Sequence, residues 1–140
     1  MIQAYIDGSS QGNPPKSGAG VAIYDKDNLL VLVRGVPLGH ATSNQAELHA
    51  LHIALNELVT LNYHQFDVNI LTDSKLVVGL FSQSWKANYN LEIINPIKET
   101  LSTFKKVIFT HVRGHSGIGG NELADRLASE AAMTGQDTNK

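Results

Sequence analysis

The chain has 140 residues, 42% of them apolar and 17% charged, and it carries no cysteine. That balance fits one globular domain with a self-sufficient core and excludes a disulfide scaffold, a thiolate metal site and a cysteine nucleophile. With 11 Lys+Arg against 13 Asp+Glu the net charge is −2, so any affinity for nucleic acid must come from a local site rather than a global field.

Ile2, Ala4 and Ile6 alternate with Gln3, Tyr5 and Asp7, which predicts a strand closing at Asp7, before a turn-rich stretch from Gly8 to Pro15. Gly18 to Tyr24 predicts a second strand, Asp25 to Asn28 a hairpin turn, and Leu29 to Gly35 a third strand. The period then changes. From Ser43 to Leu61 apolar residues fall at Ala46, Ala50, Leu51, Ala54, Leu55, Leu58 and Leu61, which is helical spacing. Thr42-Ser43-Asn44-Gln45 has the form of a capping box at its start. Asp67 to Thr72 reads as a buried strand, with Ser74 capping a short helix that ends near Ser82. Asn90 to Phe104 is predicted helical with a break or restart at Pro96. Val107 to Val112 predicts the last strand, Gly114 to Gly120 a loop and Asn121 to Met133 the final helix. The order is βββαβα(α)βα, giving one domain over residues 1–133 and a polar tail, 134–140, expected to fray. No apolar run approaches the ~18 residues of a membrane span. The start has neither a basic n-region nor a signal-peptide h-region, so no membrane partner and a cytoplasmic location are expected.

Most acidic residues sit in polar turns or on exposed helix faces, where a solvated charge needs no explanation. Four do not. Asp7 and Asp73 stand at predicted strand ends. Glu47 has Ala50, Leu51 and Ala54 at its i+3, i+4 and i+7 positions, and Asp125 has Ala128, Ser129 and Ala132, so both lie on close-packed faces. A buried carboxylate is costly unless compensated, whether by single Arg or Lys partners or by a shared cation. Ligands gather at the carboxyl ends of strands in open α/β sheets. If the four acids meet there, all-oxygen ligation suits Mg²⁺ or Mn²⁺ rather than zinc, and paired hard cations suit in-line phosphoryl displacement.

These acids lie in four stretches. The first is Tyr5-Ile6-Asp7-Gly8-Ser9 with Gly12-Asn13-Pro14, the second Thr42-Ser43-Asn44-Gln45-Ala46-Glu47-Leu48 and the third Leu71-Thr72-Asp73-Ser74. The last joins Val112-Arg113-Gly114-His115-Ser116-Gly117 to Asn121-Glu122-Leu123-Ala124-Asp125-Arg126-Leu127-Ala128. In this order, over nearly the whole chain, they resemble the ribonuclease H type 1 family. The resemblance implies an α/β ribonuclease H-like fold: a five-stranded mixed sheet, three antiparallel strands then parallel ones, flanked by helices. It implies a monomer that cleaves the RNA strand of RNA–DNA hybrids with two Mg²⁺ ions (Mn²⁺ as a substitute), leaving 5′-phosphate and 3′-hydroxyl ends. It assigns metal binding and catalysis to Asp7, Glu47, Asp73 and Asp125, with His115 shuttling a proton or helping product leave. An imidazole with an unperturbed pKa near ~6.5 suits either task.

The same resemblance assigns recognition of 2′-hydroxyls to Ser10, Asn13, Ser43, Asn44 and Gln45, and a DNA-strand phosphate pocket to Asn13 and Thr42. Asn13 before Pro14 is also an ordinary turn residue, and Thr42 an ordinary helix cap. The chain departs from the family pattern where many members carry a basic, Trp-rich protrusion. Here Gln83 to Asn90 is short and holds one lysine, Lys86. This short form predicts weaker hybrid binding, helped by Lys75 and Lys86. Trp85 and Tyr89 are expected to pack half-buried, and Tyr5, Phe66, Phe81 and Phe104 in the core. His49 and His52 invite a zinc reading with Glu47, but Glu47 and His49 point about 200° apart around a helix. Two other readings share the acids: a nuclease of the same superfamily acting on DNA, and a catalytically weak nucleic-acid-binding relative.

Overall fold

The first strand outruns its hydrophobic alternation. β1 spans Ile2–Gln11 because its backbone goes on pairing with β2 (Lys16–Tyr24), Asp7 opposite Gly20 and Gln11 opposite Lys16. Asp7 is therefore not the end of a strand, as the alternation predicted. It lies just beyond the last parallel pair with β4 (Asp67–Thr72), Tyr5 opposite Leu71. Ladder hydrogen bonds belong to the backbone and continue through polar residues, which a pattern of apolar side chains does not register.

The computed structural model describes residues 1–83, 86–87, 89–113 and 119–139. It adds β3 (Leu30–Gly39), α1 (Ser43–Thr60), α2 (Lys75–Ser82), α3 (Leu91–Leu101), β5 (Lys106–His111), α4 (Gly119–Thr134) and β6 (Thr138–Asn139). The sheet runs β5-β4-β1-β2-β3-β6. β1, β2 and β3 are antiparallel, while β1, β4 and β5 are parallel, so the expected five-stranded mixed sheet is present. Ile2, Ala4 and Ile6 of β1 and Val68 and Ile70 of β4 face one core with Leu48, Leu51, Leu55 and Leu58 of α1 and Ile94 and Ile97 of α3. The opposite face carries α4, whose Leu127 packs with Ala22 and Val33. Among the described residues no helix is long and apolar enough to cross a membrane.

Three expectations are corrected. Pro96 lies inside an unbroken α3. Its ring removes only the N–H that would meet the carbonyl of Glu92, an exposed residue. Phe66 is 56% and Tyr89 82% exposed, so neither packs as its apolar ring suggested. Single exposed aromatics are common because polar atoms cannot cover a whole protein surface. The tail does not simply fray: Thr138 and Asn139 pair with Gly35 and Arg34 as a short sixth strand.

Arg34 ties that tail down. Its Nη2 donates to both carboxylate oxygens of Asp137 at 3.1 Å, and its Nη1 to Glu57 Oε1 at 3.2 Å, joining β3, α1 and the C-terminus. Removing a guanidinium that holds a partly buried carboxylate costs more than removing an exposed partner. Arg34→Met is expected to lower stability by about 1–2 kcal/mol, and Asp137→Ala by about 0.5 kcal/mol, in denaturant titrations.

Candidate active site

Gly8 sets how closely α1 approaches β1. A Cβ there would stand 2.5 Å from Ala46 C and 2.5 Å from Glu47 N, so a side chain at this position would push the first turn of α1 away. The glycine lets Glu47 come down beside Asp7, which is 5% exposed and accepts the Gly8 N–H at 3.0 Å on Oδ1. Asp73 follows β4, next to β1 in the sheet. Its elbow is fixed on both sides: Val112 N–H donates to Thr72 O at 2.8 Å and Ser74 N–H to Thr72 Oγ1 at 3.0 Å. Ser74 Oγ then accepts Val77 N–H at 3.2 Å, capping α2 as the sequence predicted.

The result is a cluster. One carboxylate oxygen each of Asp7, Glu47 and Asp73 lies within 4.8 Å of the other two. Asp125 approaches from α4, on the far face of the sheet, and adds to the rise at Asp7, but it is not one of the three acids grouped within 4.8 Å. α4 can lie this low because Gly20, the β2 partner of Asp7, meets the backbone of Ala124 with no side chain between.

Burial above all, then the charge of Glu47, pushes the Asp7 carboxyl up to about 10, with Asp125 and Asp73 adding to the rise. Burial and then the charge of Asp73 push Glu47 up to about 7, against hydrogen bonds from Asp7 and the Gly8 backbone that favour its ionised form. Oxygens so placed hold protons unless a cation replaces them. Glu47 Oε2 is buried with no hydrogen-bond partner among the described residues, which leaves one donor atom of the cluster uncommitted. Three hard oxygens, without sulfur or imidazole, fit Mg²⁺ or Mn²⁺. His49 and His52 do not join the acids. Burial, then the neighbouring His52, lowers the His49 pKa.

A polar rim adjoins the cluster. Ser10 Oγ donates to the Ala41 carbonyl at 2.9 Å, and Ser17 Oγ donates to the same oxygen, stitching the end of the β1–β2 hairpin to the start of α1. Thr42 caps α1 as expected: its Oγ1 accepts Gln45 N–H at 3.2 Å, and Gln45 Oε1 accepts Thr42 N–H at 2.9 Å. As an acceptor in that bond, the Thr42 hydroxyl keeps its own proton to donate elsewhere. Asn13, Ser43 and Asn44 are exposed, and Gln45 is half-buried. Asn90 belongs with this group, a role that no sequence pattern assigns to it. Its Oδ1 accepts from Gln45 Nε2 at 3.4 Å across 45 positions, a contact without a local signature.

Lys75 is exposed at the first turn of α2 and lines a cleft of about 240 Å³ with Val78, Gln83 and His111. Lys86 and Tyr89 line another, of about 160 Å³, with Asn44 and Asn90. A third cleft, of about 520 Å³ between Tyr63, Phe66 and Lys105, is at the opposite end of the parallel strands and holds none of the four acids. His115 and Trp85 lie outside the described residues. The tight approach at Gly8 gives a direct check. Gly8→Ala is expected to cost about 2–3 kcal/mol by thermal denaturation, because backbone rather than a flexible side chain must move.

Known proteins share the sequence pattern and the fold of this chain. The RNase H family model matches residues 1–133. RNase H1 from the halophilic archaeon Halobacterium salinarum NRC-1 is 31% identical, with a TM-score of 0.81 over 96% of this chain and 98% of that one. The N-terminal RNase H domain of rv2228c from Mycobacterium tuberculosis is 30% identical, with a TM-score of 0.81 over 92% and 96% of the two chains. LC11-RNase H1, isolated from compost by a metagenomic approach, was solved in complex with an RNA/DNA hybrid. It is 26% identical, with a TM-score of 0.85 over 96% of this chain and 99% of that one.

Proposed function

The chain belongs to the RNase H family, and from that premise we propose that it is an endoribonuclease hydrolysing the RNA strand of RNA–DNA hybrids, leaving 5′-phosphate and 3′-hydroxyl ends. The observation that carries this reading is the convergence of Asp7, Glu47 and Asp73 within 4.8 Å, with one Glu47 oxygen uncommitted. Asp7, Glu47, Asp73 and Asp125 would hold two Mg²⁺ ions, or Mn²⁺ in their place. When bound, such ions supply a lowered water pKa and neutralise charge on the departing oxygen. The protein's part is orientation: Gly8 N–H fixes Asp7, the first turn of α1 fixes Glu47, and the Thr72–Ser74 elbow fixes Asp73. His115 is assigned proton transfer or product release.

Hybrid recognition falls to the polar rim. An A-form duplex presents 2′-hydroxyls across a wide, shallow minor groove, where short donors and acceptors can count them. Asn13, Ser43, Asn44 and Gln45 offer such groups. Ser10 uses its proton on Ala41 and reads as an acceptor only. Thr42 and Asn13 are assigned a DNA-strand phosphate. The hybrid bound by LC11-RNase H1 supports this substrate class. Segment 83–90 contains Lys86 as its one cation, so the enzyme is read as a short form, acting as a monomer with a modest electrostatic grip.

The test is cleavage of labelled hybrid, duplex RNA, duplex DNA and single strands with Mg²⁺ or Mn²⁺. Cutting confined to the RNA of the hybrid supports the proposal; DNA cutting, or no cutting, overturns it. Lys75→Ala with Lys86→Ala is expected to lower the slope of log affinity against log salt by about 1–2, and an unchanged slope removes both from the interface.

A further inference from the structure

Asn121 is 2% exposed, and its Oδ1 is buried with no hydrogen-bond partner among the described residues. A buried acceptor left empty costs about 1–3 kcal/mol, so native structures fill such positions, often with an ordered water. Its position on α4 says which part of the molecule that acceptor belongs to. Gly120 lies against the Tyr5 ring, Ala124 against Gly20 (the strand partner of Asp7), and Ala128 against Gly18 (the partner of Ser9). α4 thus lies over β2 and β1, and the level of Asn121 falls between Tyr5 and Asp7. Asn121 and Asp125 are four apart, on the same sheet-facing stripe as Ala124, Ala128 and Ala132, with Cβ atoms about 6 Å apart. Asp125 follows Ala124, whose backbone meets Gly20, the strand partner of Asp7. The orphan oxygen thus belongs to a residue one helical turn before Asp125, on the stripe that faces the strands carrying Asp7 and Gly20, and it carries no charge.

We propose that Asn121 is a positioning residue of this site, its Oδ1 accepting a hydrogen bond from a water that hydrates a divalent cation held by Asp7 and Asp125. This rests on the reading of the acids as cation ligands. A neutral acceptor suits the place: it orients a water without adding a fifth negative charge to a cluster that already resists ionisation. Helix geometry keeps the residue behind Asp125 rather than beside the substrate rim.

The experiment titrates Mg²⁺ alone into the folded protein by calorimetry, with no nucleic acid present, and follows the melting temperature in EDTA in parallel. Asn121→Leu keeps the shape and removes the acceptor, whereas Asn121→Asp keeps both shape and acceptor. Outer contacts of this kind typically change metal affinity 10–100-fold. Asn121→Leu is expected to weaken Mg²⁺ binding about tenfold while melting in EDTA no lower than the parent. Asn121→Asp, which keeps the acceptor and adds a charge, is expected to bind Mg²⁺ no more weakly than the parent. Asn121→Ala gives the same readout should leucine fail to pack. Undiminished Mg²⁺ affinity in the leucine or alanine variant overturns the proposal, as does an equal loss in the aspartate variant. A fall in melting temperature without a change in Mg²⁺ affinity identifies a packing role and also overturns it. Asp73→Asn serves as the control: if it leaves Mg²⁺ binding intact, the acids are not cation ligands and the proposed function fails with them. A loss in Asp73→Asn without a loss in Asn121→Leu refutes the Asn121 inference alone.

Discussion

Asp73→Asn is expected to reduce hybrid cleavage at least about 10³-fold, equivalent to about 4 kcal/mol of barrier, while leaving hybrid affinity within about threefold. Asparagine keeps the shape of the side chain and leaves the Thr72–Ser74 elbow undisturbed, because none of those bonds uses the Asp73 side chain. What changes is charge. Asp73 lies within 4.8 Å of Asp7 and Glu47, and it raises the pKa of both. Removing it relieves repulsion in the metal-free protein, so the variant is expected to melt about 2–4 °C higher in EDTA. The same substitution weakens the anionic site that attracts cations, so the stabilisation by Mg²⁺ shrinks. Initial rates at saturating hybrid and melting curves with and without Mg²⁺ check both halves. Activity within tenfold of the parent would falsify the assignment of Asp73 to the catalytic centre.

The metal-free protein is expected to lose stability as pH rises from about 5 to 8, by about 5–10 °C in melting temperature, and saturating Mg²⁺ is expected to flatten the curve. The sign follows from two raised carboxyls. Glu47 titrates at about 7 in the folded chain against 4.5 when free, and Asp7 at about 10 against 3.8. The folded state therefore binds more protons than the unfolded state once pH passes about 4, and each further rise in pH favours unfolding. Glu47 alone amounts to roughly 3 kcal/mol once pH exceeds both of its values, and Asp7 acts in the same direction. A cation takes the place of those protons, so its affinity falls as pH falls and its stabilising effect appears mainly above neutrality. Asp7→Asn removes the largest contributor, and the difference between its pH profile and the parent's isolates the cluster from the remaining titrating groups. A parent profile in EDTA that is flat, or that rises with pH over this range, contradicts the buried, mutually repelling arrangement.

Local patterns carry far in this chain. The capping box at Thr42 and Gln45, the serine cap at Ser74, the strand at Asp67–Thr72 and the helical stripe of α1 each depend on neighbours within a turn or two, and each forms where the sequence puts it. Glu47 and Asp125 stand out because an acid on a small-residue face conflicts with its surroundings, and that conflict is visible without coordinates. Order along the chain, with the motifs around the acids, is enough to indicate the family.

Other features depend on contacts between distant segments. Asp7 reads as a strand end, yet it lies within β1 because β2 continues the ladder past it. Tyr89 and Phe66 have the chemistry of core residues and remain exposed because no element among the described residues reaches over them. The tail is polar, yet Arg34 holds it as a sixth strand through a carboxylate 103 positions away. Composition and periodicity thus determined one α/β domain, its element order and which acids are out of place, since those depend on side-chain chemistry and local spacing. Tertiary structure decided the distance between the acids, the close approach at Gly8 and the empty acceptor on Asn121. Those follow from how backbones from separate parts of the chain come to rest against one another.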